Sequence, residues 1–193
     1  ESEALLHTPG HVKHDGHNLT GFIIFLCSES IIFFAFFVGY GVLKITAPTW
    51  YPDGVTGIAV REPLINTIIL VSSSFVIYFA ERYLHKKNYW GFRIVWLITM
   101  LMGSYFVYGQ YVEWSELTFS LSSGVFGGLF YLLTGFHGLH VITGILLMGL
   151  MLYRSFIPGN YDKGEMGVES ISLFWHFVDV IWIILFILIY VWQ

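Results

Sequence analysis

Two histidines three residues apart, His137 and His140, interrupt the apolar stretch GFHGLHVITG. On a helix that spacing places both imidazoles on one face, where they could hold a metal, relay a proton or pack. His176 and Asp179 in LFWHFVDVIW repeat the spacing, and Glu29 stands between Ser28 and Ser30 in LCSESIIFF. Each of these groups sits in apolar sequence. A charge in hydrocarbon costs about 3 kcal/mol or more, so each needs a partner or a wet cavity.

The metal readings are weak on residue types alone. A di-iron site in a helical bundle wants about four carboxylates with paired Glu-x-x-His motifs, and the chain has neither. A zinc hydrolase helix wants His-Glu-x-x-His, with a general base between histidines four apart. Here the spacing is three, and Gly138 and Leu139 lie between. The histidines could serve as axial heme ligands, but nothing else in the chain argues for heme. A hydrogen-bonded helix–helix contact is the favoured reading, with a typical strength of about 0.6 kcal/mol. Glu29 is harder to assign to packing. An isolated carboxyl at depth favours its neutral form, because burial disfavours the anion.

The elements that must position these residues are membrane spans. The chain is 56% hydrophobic and only 11% charged over 193 residues, whereas a soluble domain carries about 25% charged residues. Five apolar runs are each long enough to cross a bilayer: Leu19–Ile45, Pro63–Leu84, Gly91–Val112, Ser122–Tyr153 and Ser170–Trp192. The fourth is too long for a perpendicular span and must tilt or project. The expected fold is an all-α, polytopic membrane protein: a five-helix domain over 19–193 behind a polar tail, 1–18. The tail carries His7, His11, His14 and His17, and is read as disordered polar sequence rather than a metal cluster. No cleavable signal peptide is legible at the start. Cys27 has no second cysteine to pair with, and the net charge of −4 gives no hint of nucleic acid.

Charge sets the orientation. The side shared by the tail and the second and fourth loops carries Lys13, Arg82, Lys86, Lys87, Arg93, Arg154 and Lys163; the other side carries only Lys44 and Arg61. The positive-inside rule then places the N-terminus in the cytoplasm and the C-terminus outside. In that frame Glu29, about ten residues into its span, lies ~15 Å deep. His140, His176 and Asp179 fall at similar depths, so the four would converge if the first, fourth and fifth helices are neighbours. A hydrogen bond between Glu29 and His140 is expected, with His137 one turn further out. Glu113 and Glu116, beside Trp114 in the stretch EWSELTFSL, are expected to be solvated acids at the external membrane edge.

Read together, FLCSESIIFFAFF, EPLINTIILVSSS, GQYVEWSE, TGFHGLHVITG and LFWHFVDVIWIILFILIYVW resemble subunit III of the heme–copper terminal oxidases. They stand in the family's order, from Leu19 onward. The likeness is to the short, five-helix bacterial form of this cytochrome c oxidase subunit. It implies a multi-pass protein of the bacterial cell membrane, partnered with oxidase subunits I and II, with subunit IV or a larger respiratory supercomplex as a further candidate partner. It implies no catalytic residue, heme or copper on this chain, since both cofactors lie in partner subunits. His137, His140, His176 and Asp179 would then not be metal ligands, and Glu29 matches the family's buried, carbodiimide-reactive carboxylate. The family's helices form a V holding phospholipid, and its lipid-phosphate arginine maps onto Arg154. A guanidinium at a span end can fork onto a phosphate. The resemblance further implies a subunit that stabilises the catalytic one, supports proton uptake and limits loss of activity during turnover. The electron donor is cytochrome c in the favoured reading and a quinol in the alternative. Two rivals are a self-contained membrane metalloenzyme built on Glu29, His137, His140, His176 and Asp179, and a proton or cation carrier titrating at Glu29. A carrier would be expected to show inverted repeats, and no convincing repeat joins the two halves.

Overall fold

A computed structural model describes residues 15–159, 161 and 165–192. Five helices carry the chain: α1 (Asp15–Thr46), α2 (Arg61–His85), α3 (Tyr89–Glu116), α4 (Gly124–Arg154) and α5 (Met166–Phe186), the last running into a π-helical turn, Ile187–Val191. All five are long and apolar enough to span a membrane. Hydrocarbon offers backbone groups no water, so helices that satisfy themselves internally are the natural solution. The fold is all-α and polytopic, as the sequence indicated.

The helices overrun the apolar runs. α1 begins at Asp15, so His17 falls in its first turn, while His7, His11 and His14 lie outside the described residues. α3 continues through Glu116, so Glu113 and Glu116 belong to a helix and not to a loop. α4 has 31 residues, or ~46 Å of helix, well beyond a hydrocarbon core of ~30 Å. The α2–α3 turn is tight, with only residues 86–88 between the helices. Lys87 adopts a left-handed backbone with φ 56°, and Asn88 Oδ1 accepts from Gly91 N at 3.0 Å, capping α3.

α2, α3, α4 and α5 form a closed bundle, with α2 paired to α3 along its length and α5 against both α2 and α4. Trp175 of α5 lies at the centre. A Cβ placed on Gly103 would stand 2.5 Å from its ring, and one on Gly144 2.9 Å. The indole thus occupies notches that only glycine leaves open, and its Nε1 donates to Ser73 Oγ at 2.8 Å. α1 leans on the outside of α4 and α5. Phe33 packs against Phe136 and Phe177, and near the end of α1 Lys44 Nζ donates to the Trp192 carbonyl while lying 4.6 Å from that indole's centre. Cys27 is exposed on α1.

Candidate functional site

Glu29 and His140 meet between α1 and α4. His140 Nε2 lies 3.1 Å from Glu29 Oε2, and Nδ1 lies 2.8 Å from the Phe136 carbonyl. A carbonyl only accepts, so Nδ1 must carry hydrogen. Nε2 then has two options: it accepts from a protonated Glu29, or it is protonated and donates to a carboxylate. Both states are neutral overall, and both place one proton between the two residues. Phe33 and Phe136 pack around the imidazole at 5.0 and 4.8 Å between ring centres. The side chains remain 17% and 13% exposed, so the pair sits at the rim of the bundle rather than at its centre. Ser28 and Ser30 take no part; each donates to a backbone carbonyl of its own helix.

The other two suspects do not join this pair. His176 and Asp179 project to the α2 side of α5, where both meet Ser74. Ser74 Oγ donates to Asp179 Oδ2, and His176 Nδ1 lies 3.0 Å from the same hydroxyl. The single serine proton is committed to the carboxylate, so His176 Nδ1 is the donor in the second bond. The expected convergence of four groups resolves into two clusters on different sides of α5. Trp175 on Ser73 and Trp182 on Thr67, at 2.9 Å, extend the second cluster into a ladder between α2 and α5. These hydroxyl partners were not singled out from the sequence. The signal available was Ser72–Ser73–Ser74 inside an otherwise apolar span.

His137 is fully buried with its ring 4.8 Å from that of Trp182 and 5.8 Å from Phe106, edge-on. Neither ring nitrogen has a hydrogen-bond partner among the described residues. It contacts helices of this chain, but by packing alone. The two histidines of the opening motif therefore do different work: His140 faces Glu29, and His137 faces the core.

One correction concerns a charged group. Glu113 is not a solvated acid: Tyr190 donates to its Oε1 at 2.7 Å and Gln110 to its Oε2 at 2.8 Å. Glu116 is exposed, as expected. At the other end of the bundle His85, Glu165 and Glu169 bring ligand-type atoms within 4.8 Å of one another, with His85 Nδ1 2.5 Å from Glu165 Oε2. Both acids lie at the start of α5, where the helix dipole already favours them. Arg154, half-buried at the end of α4, lies beside Gly167 and Tyr161. Burial raises the Tyr161 pKa and the Arg154 charge works against that rise.

The family model for cytochrome c oxidase subunit III matches residues 4–193. The chain is 41% identical over 189 residues to cytochrome c oxidase subunit 3 of Synechocystis sp., covering 95% of this chain and 81% of that one. It is 43% identical over 180 residues to the Thermostichus vulcanus protein of the same name, covering 93% and 89%. With the Rattus norvegicus protein of that name the identity is 37% over 179 residues, covering 89% and 68%.

Proposed function

The chain belongs to the cytochrome c oxidase subunit III family, and from that premise we propose that it is the accessory, non-redox subunit of a proton-pumping terminal oxidase. It is a multi-pass protein of a bacterial membrane, and its family places it in a complex with other oxidase subunits. In our reading it braces the catalytic subunit, supports proton uptake and prolongs activity during turnover, while heme and copper reside in subunits I and II. The relatives named above are cytochrome c oxidase subunits, which favours cytochrome c over a quinol as donor.

The observation that carries the scaffold reading is how the buried polar groups are used. Glu29 binds His140, and His176 and Asp179 bind Ser74. Each contact ties one helix to another. The Glu29–His140 pair exchanges one proton internally without net charge, which suits a structural contact in hydrocarbon. Arg154 is assigned to a lipid phosphate or an anionic partner group at the cytoplasmic edge.

The test is to assemble the oxidase with and without this chain. Oxygen reduction should persist without it, with fewer turnovers before inactivation and weaker proton uptake. Stoichiometric iron or copper in the purified single chain, or unchanged turnover lifetime in its absence, would sink the reading. Arg154→Leu should lower co-purifying anionic lipid and loosen subunit association; the same lipid at the same occupancy would count against its assignment.

A further inference from the structure

At the end of the bundle that carries the α1–α2 loop, a cavity of about 410 Å³ opens between the starts of α2 and the end of α3. Glu62, Glu113 and Glu116 line it, and among the described residues no Lys, Arg or His does. Glu113 is held in place by Tyr190 and Gln110. Each carboxylate oxygen accepts one of these bonds and keeps a second acceptor site.

Asn66 supplies a separate observation. It also lines the cavity and is only 8% exposed, yet no hydrogen bond engages its amide among the described residues. Its position depends on Gly109 of α3, where any Cβ would collide with the amide. The chain thus holds an unpartnered donor–acceptor group at the wall of an acid-lined cavity.

The acceptors are too widely spread for one metal ion. Among the described residues, only His85, Glu165 and Glu169 bring three ligating atoms within 4.8 Å of one another, and they lie at the opposite end of the bundle. A larger cation with several N–H donors suits the spread. The wall also includes Pro63, Val112 and Phe119, an apolar surface for a hydrocarbon stem.

We propose that this cavity binds a protonated alkylamine, with the ammonium between Glu113 and the Asn66 carbonyl oxygen and the stem against Pro63, Val112 and Phe119. The rim acids Glu62 and Glu116, both exposed, attract the cation. Two sources share this chemistry: a lysine side chain of a neighbouring subunit, and a free amine or aminolipid.

The experiment uses the assembled oxidase, so its setting rests on the family assignment, but its readout is labelling and not oxygen reduction. A diazirine-bearing alkylammonium and the matching neutral alcohol are photoactivated on the complex, and labelled peptides are mapped by mass spectrometry. A parallel sample is treated with water-soluble carbodiimide and no added amine. If the source is free, the ammonium should label the start of α2 or the end of α3 at least ten-fold over the alcohol. Asn66→Leu should lower that labelling about ten-fold, and so should Glu62→Gln with Glu116→Gln, two exposed changes that spare the fold. If a partner lysine fills the cavity, the probe is shut out and carbodiimide joins that lysine to Glu113 or Glu116. Equal labelling by both probes without a cross-link, ammonium labelling indifferent to these substitutions, or neither labelling nor cross-link overturns the proposal.

Discussion

α1 and α5 are both long, strongly apolar spans, and they do opposite things with that character. In its most apolar stretch α5 buries 56% of its residues inside the bundle, and α1 buries 11%. Lipid tails are as apolar as leucine, so apolarity alone gives a helix no reason to seek other helices. Close fit and polar contacts separate the two. α5 sends Trp175, His176, Asp179 and Trp182 to hydroxyls of α2. α1 is fastened at Glu29 and at Lys44, with Phe33 and Phe36 against Phe136 to help.

The comparison breaks first at Trp175. Trp175→Ala empties the notch between Gly103 and Gly144 and frees Ser73, and should cost about 3–5 kcal/mol. Thermal unfolding of the purified oxidase, followed through retention of this chain, reads the loss. A loss no larger than that of an α1 substitution would mean that α5 is not the core. Ser74→Ala comes next. It strips both His176 and Asp179 of a buried partner and should cost about 2 kcal/mol, and Ser74→Thr, which restores the hydroxyl, should recover most of it.

At the rim, Glu29→Leu strands the His140 imidazole and should weaken α1 packing by about 1–2 kcal/mol. Glu29→Gln keeps a hydrogen-bonding group, so assembly should persist while labelling by a hydrophobic carbodiimide stops. With heme and copper in partner subunits, as proposed above, oxygen reduction should continue in both; its outright loss in Glu29→Gln would assign this pair a role beyond packing. The smallest effect belongs to Phe34, 67% exposed on α1. Phe34→Ala should change the stability of the isolated chain by under about 0.5 kcal/mol. A larger loss confined to the assembled oxidase would show that a partner subunit covers this face.

Spans and their order were legible because apolar runs of this length have few other uses. Helix ends were less so: Glu113 and Glu116 look like loop residues, yet α3 runs through both, and Tyr190 and Gln110 hold Glu113. The Glu29–His140 contact could be reasoned from depth, since both positions count residues from a membrane edge. Ser74 could not, because depth says nothing about which way a helix faces. The same ignorance of facing merged His140, His176 and Asp179 into one expected site, when α5 turns His176 and Asp179 toward α2. His137 and His140 share a helix face in principle, yet a shift of three residues rotates the ring by about 60° around the axis. That rotation separates a core position from a rim position.

The seat of Trp175 has a consequence in time as well as in space. Synthesis delivers α2, α3 and α4 to the membrane before α5. The two glycines and Ser73 that receive the indole are therefore in place before it arrives. The fifth helix, inserted last, brings the indole that touches α2, α3 and α4 together, so the four-helix bundle closes only on its arrival.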